Sequence, residues 1–155
     1  MKYLLILLFL VACSANGQKF EEIRFSEDGS PFVVIYRPFA FSGMAVPWEV
    51  SIDGKEQCML HNESYYVYKG SGLLKISAQF FLAPGTSRID VNAVRGAYYI
   101  RMSVDGAKSV SGVIGGMGGY LVAEGMSSTG GPFIFSLIDE LQAKQELSVL
   151  KRDCI

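Results

Sequence analysis

Apolar and polar positions alternate in short runs separated by turn residues along most of the chain. Phe32 to Arg37 (FVVIYR) is a dense β-branched and aromatic run closed by Pro38, which predicts a core strand buried on both faces. Trp48, Val50 and Ile52 alternate with Glu49, Ser51 and Asp53, the period of a strand with one buried face. Asp53-Gly54 predicts a turn into a strand over Gln57 to Leu60, and His61-Asn62 a second turn into a strand over Tyr65 to Tyr68, so this region reads as a meander of hairpins. A further strand is expected over Leu73 to Leu82, stopped by Pro84-Gly85, then one over Arg88 to Val94 and, after Arg95-Gly96, one over Tyr98 to Val104. Strands this short and this closely spaced predict a mainly β chain, folded as an antiparallel β-sandwich or a barrel.

Two regions break this rhythm. The stretch from 106 to 131 is rich in glycine and poor in charge. Its Gly112 to Gly116 and Gly115 to Gly119 spacings are those of membrane-helix interfaces, but its uncharged part is too short to span and glycine disfavours helix, so a long loop carrying one strand over Tyr120 to Ala123 is expected. After a last strand through Phe133, Phe135 and Leu137 the period changes. Asp139 with Gln142 three residues on resembles a capping box, Lys151-Arg152 sit where a helix C-terminus favours cations, and Ala143, Leu147, Leu150 and Cys154 fall on one helical stripe. One C-terminal helix over 139–152, packed on the sheet, is the expectation.

The start of the chain carries an address. Met1-Lys2 precedes a ten-residue apolar run at 3–12 (YLLILLFLVA), too short for a membrane span and shaped like a secretory signal. Leu10-Val11-Ala12-Cys13 resembles the site at which bacterial lipoprotein signal peptidase cuts, which makes 1–12 a signal peptide and Cys13 the lipidated first residue of the mature chain. The other reading is an ordinary signal cut near Ala15 or Gly17. Residues 13–30 are then a polar tether, with a middle from Phe20 to Phe25 able to pack, and 31–152 the sandwich domain. Ser14 after the anchor favours the outer membrane by resemblance to enterobacterial lipoproteins; without the anchor the protein is secreted.

Composition narrows the chemistry. With 155 residues, half of them hydrophobic and 19% charged, the chain suits one compact domain and not a disordered one. Its net charge of −1 supplies no field for gripping nucleic acid. A single histidine excludes multi-histidine metal sites, and neither a metal nor a cofactor is expected. In an exported chain Cys58 and Cys154 are left either as a disulfide or as two separate thiols. Cys58 with His61 is the one nucleophile and base pairing available to a secreted enzyme. Three residues apart on an extended chain they point to opposite faces, and the chain is expected not to be an enzyme. Trp48, Tyr65, Tyr66 and Tyr68 are a candidate carbohydrate-stacking face, against the plainer reading that alternating aromatics pack across a sheet.

The series Ile35-Tyr36-Arg37-Pro38, Phe41-Ser42-Gly43, Val50 to Lys55 (VSIDGK), Leu60 with Asn62 and Tyr65-Tyr66, Gly96 to Arg101 (GAYYIR) and Phe135 to Glu140 (FSLIDE) resembles, in that order, the bacterial family called domain of unknown function 2846. The resemblance implies a small exported protein, often with a lipoprotein leader, and a sandwich of the Ig-like or PEGA-like kind; it carries over no catalytic residue. The functional expectation is a lipid-anchored, noncatalytic binding or structural module of the cell envelope, with the membrane and an envelope protein or glycan as partners.

Overall fold

A computed structural model of the chain describes residues 17–21, 29–40, 45–80, 83–104 and 131–154. The expected signal peptide, Cys13 and the glycine-rich stretch, with its expected strand over 120–123, lie outside the described residues. Among the described residues the fold is mainly β, two packed sheets and one short helix.

Among the described residues nine strands are formed: β1 (Phe32–Arg37), β2 (Trp48–Ile52), β3 (Lys55–Leu60), β4 (Ser64–Lys69), β5 (Gly72–Phe80), β6 (Ala83–Ala93), β7 (Ala97–Val104), β8 (Phe133–Ile138) and β9 (Lys151–Arg152). The first sheet has the order β8-β7-β1-β4-β9 and the second β3-β2-β5-β6. The second sheet is antiparallel throughout, whereas in the first β1 runs parallel to β7 and β4 parallel to β9. The sandwich is therefore mixed rather than purely antiparallel. Parallel neighbours need a crossover, and here the whole second sheet lies in sequence between β1 and β7.

All six residues of β1 are buried. Val33 and Ile35 face the second sheet and join Val50, Ile52, Leu60, Ile76, Ile100 and Met102 in the inter-sheet core. Phe32, Val34 and Tyr36 face the other way, into a second core closed by α1 (Glu140–Leu147) through Ala143 and Leu147. The predicted alternation of β2 is met in full, with Trp48, Val50 and Ile52 buried between less buried neighbours. Asp53 and Gly54 both take positive φ, 51° and 76°, the pair of left-handed conformations a two-residue hairpin turn requires.

The structure corrects three expectations. The turn at His61-Asn62 does not close a hairpin: β3 and β4 belong to different sheets, and the turn carries the chain across the sandwich. Pro84-Gly85 does not separate two strands, because β6 starts at Ala83, which pairs with Phe80. An edge strand tolerates proline, since no neighbour needs its missing N–H. The helix ends at Leu147 rather than 152, and Lys151-Arg152 pair with β4 instead of closing a helical turn. Helix and strand share the stripe only as far as Leu150, and Cys154 goes to the inter-sheet core. The polar segment before β1 packs through Phe20, within the middle expected to do so, and its docking reaches back to Gln18. Phe20 packs edge-on against Tyr65 at 5.3 Å between ring centroids, its N–H donates to Leu150 O, and Arg152 N–H donates to Gln18 O.

Asp139 caps α1 as expected, its Oδ1 accepting from the Gln142 N–H at 3.0 Å. The reciprocal half of a capping box is absent among the described contacts of Gln142, whose side chain donates instead to Glu146 Oε1.

Ile100 and Leu137 face each other across β7 and β8, one fully buried and the other 60% exposed. Truncating Ile100 to alanine is expected to cost about 2–5 kcal/mol, and Leu137→Ala to stay within about 0.5 kcal/mol; urea unfolding of the two variants measures both.

Candidate functional site

Of the residues singled out from sequence, Cys58, His61 and Cys154 converge on one end of the sandwich, where the C-terminus is fastened. Cys58 on β3 points into the inter-sheet core and is 2% exposed. Its sulfur is bonded to Cys154, two residues beyond β9, with the Cα atoms 5.6 Å apart. The bridge thus joins the two sheets as well as two points 96 residues apart in sequence. Backbone bonds continue the fastening: Lys151 N–H donates to Glu63 O and Asp153 N–H to Tyr65 O.

Asp153 accepts from the His61 N–H at 2.6 Å, and the same oxygen lies 2.8 Å from His61 Nδ1. The ring is therefore held by the C-terminal segment and not by Cys58. With the Cys58 sulfur in a bridge and the imidazole on a carboxylate, the thiolate and base pair considered for a secreted enzyme is not assembled.

Below this turn lies a buried cation. Arg37 is fully buried; its Nη1 donates to Val46 O at 2.9 Å and Leu60 O at 3.2 Å, and its guanidinium carbon sits 3.6 Å from the centroid of Trp48. Burial pulls the Arg37 pKa down to about 10, and the Asp153 carboxylate acts in the opposite sense. The group stays charged at neutral pH. Carbonyl acceptors and an aromatic face are what a cation needs when water is removed.

The proposed sugar-stacking face is corrected by the same geometry. Trp48 is 1% exposed, between Arg37 and the Phe133 ring, whose centroid is 4.3 Å away. Tyr65 is buried in the helix-side core, while Tyr66 and Tyr68 turn to the inter-sheet core. Period two on β4 sends Tyr65 to the opposite side from Tyr66 and Tyr68, so the four rings make no common surface.

Two polar sites were not legible in advance. Between α1 and the first sheet, Tyr36 donates to Glu146 Oε2 at 2.8 Å, and Arg101 Nη1 donates to Glu146 Oε1 at 3.1 Å. Burial, then the bond to Glu146, pushes the Tyr36 pKa well above its ordinary 10.0, and burial raises Tyr65 and Tyr66 as well. The second site is an open recess on the outer surface of the second sheet, lined by Asp53, Gly54, Lys75, Ser77, Arg88 and Asp90. Lys75 lies opposite Asp90 and Ser77 opposite Arg88, and the Asp53 turn is tied to Lys75 by reciprocal backbone and carboxylate bonds. Paired charges of both signs beside a hydroxyl suit a small dipolar ligand. No group of three or more His, Cys, Asp or Glu side chains placed to hold a metal occurs among the described residues.

This arrangement defines the class: a mixed two-sheet sandwich with a C-terminal helix and a disulfide-fastened C-terminus. No family model, no curated protein and no solved structure matches the chain.

A loop of this length closed by sulfur restricts the unfolded chain strongly. The double variant Cys58→Ala with Cys154→Ala is expected to lose about 2–5 kcal/mol of stability, read by chemical denaturation with and without reductant. The tyrosines give a pH prediction. Because folding raises their pKa, the folded state holds more protons than the unfolded state once the ordinary value of 10.0 is passed, so stability is intact below that pH and falls above it. Ultraviolet titration of tyrosinate should show a delayed group that ionises only on unfolding, and Tyr36→Phe should remove it.

Proposed function

We propose that the chain is an exported, lipid-anchored module of the bacterial cell envelope with a noncatalytic binding or structural role. The observation that carries this is the accounting of its three cysteines. Cys13 stands at the acylation position of the leader, and the other two are spent on one bridge. An exported chain in an oxidising compartment is thereby left with no spare thiol. The order of motifs resembling the domain of unknown function 2846 supports the same address.

The role as a binding or structural module is supported by the way its reactive groups are used. Cys58, His61 and Asp153 hold the C-terminus, and Arg37 holds the turn between the sheets. Among the described residues, the recess at Asp53, Lys75, Ser77, Arg88 and Asp90 is open to a ligand.

Intact mass spectrometry of the protein from its host's membrane fraction tests the reading. A chain beginning at Cys13 with two or three acyl chains, gaining about 2 Da on reduction, is the expected result. A bare chain starting near Asn16 or Gln18 would overturn the anchor. Replacing Cys13 with serine should move the protein out of the membrane fraction.

A further inference from the structure

The docked N-terminal segment decides how such an anchor would hold the domain. Residues 17–21 lie along β9 at the outer margin of the first sheet. Lys19 bridges Lys151, Gln18 O accepts from Arg152, and Phe20 N–H donates to Leu150 O. Gly17 fits there only because it has no side chain, since a Cβ would strike the Arg152 carbonyl oxygen. Only three residues, Ser14, Ala15 and Asn16, separate Cys13 from Gly17. Even fully extended, the four steps from Cys13 to Gly17 reach about 14 Å. A lipid on Cys13 therefore holds this edge within about 14 Å of the headgroups.

The edge is also charged for that position. Lys19 and Lys151 stand directly opposite each other across the bridge, a like-charge pairing that destabilises a sheet unless an anion relieves it. Among the described residues neither lysine forms an ion pair with a carboxylate, the nearby Glu21 and Glu63 included. Arg152 is exposed one residue on, at the same edge and on the opposite face of the strand.

We propose that this edge, presenting Lys19, Lys151 and Arg152, rests on an anionic phospholipid surface, the one that holds the acyl chains of Cys13. The inference depends on the lipid anchor proposed above. It orients the molecule: β8, four strands across the first sheet and about 19 Å away, faces outward. With it go Val104 and Gly131, the two ends of the glycine-rich segment.

Amine-reactive footprinting of the acylated full chain tests this, in vesicles of phosphatidylethanolamine with phosphatidylglycerol, in phosphatidylcholine vesicles and in detergent micelles. Lysines held against an anionic surface should label about fivefold or more slowly. Lys19 and Lys151 should show this protection in the anionic vesicles only, while Lys55 and Lys75 on the second sheet label alike in all three. Gly17→Val, which undocks the segment, should abolish the protection of Lys151. Equal labelling of all four lysines in the anionic vesicles, or equal protection in phosphatidylcholine, overturns the proposal and leaves the anchor standing if the intact mass shows acylation. A bare chain in the same sample overturns both.

Discussion

Burial of β1 on both faces is the constraint from which the rest of the architecture follows. Six consecutive residues without access to water must be covered from two sides, and a single sheet packed on another covers only one. The second sheet supplies Val50, Ile52, Leu60 and Ile76 on one side, and α1 with Leu150 and Phe20 supplies the other. Because β1 is central, its backbone must also be paired along both margins, which β4 does in one direction and β7 in the other. The helix and the docked N-terminal segment are thus parts of the core. They fill what β1 would otherwise expose.

Where β1 ends, the apolar run meets a charge. Arg37 continues the inward-facing series of Val33 and Ile35, so its guanidinium enters the space between the sheets. The chain answers with two carbonyls, from Val46 and Leu60, and the face of Trp48. These acceptors come from the segments that cross between the sheets. The same charge thereby ties those crossings together, and the Cys58–Cys154 bridge and the His61–Asp153 contact fasten the C-terminus over them. A buried cation removed from its acceptors costs several kcal/mol, which gives the crossings a reason to stay closed beyond their apolar contacts.

Both ends of the described chain meet at one margin of the first sheet, where residues 17–21 and 151–154 form successive layers outside β4. An exposed sheet edge invites pairing with another chain. Here two segments cover it, with Lys19 on the outermost layer and Lys151 opposite it on β9. The recess at the Asp53-Gly54 turn lies on the other sheet, so fastening and the open polar surface occupy separate parts of the molecule.

Local periodicity determined most of the strands by itself. The alternation at Trp48, Val50 and Ile52, the unbroken run of β1, the Asp53-Gly54 turn and the Asp139 cap are each decided within a few residues, because side-chain direction and backbone conformation are local properties. The cysteines were likewise legible as residue types, and their pairing was not. What only the tertiary structure decided is which surface each element covers. The aromatic character of Trp48 and Tyr65 reads the same for a sugar platform as for a core, and burial against Phe133, Arg37 and Phe20 separates the two. Lys151-Arg152 suit the end of a helix until β4 offers unpaired backbone groups, at which point the ladder wins. The parallel pairing of β1 with β7, the Tyr36–Glu146–Arg101 contacts and the meeting of Lys19 with Lys151 join residues tens to more than a hundred positions apart. No pattern along the chain encodes such meetings, since they are set by how the two cores close around one strand.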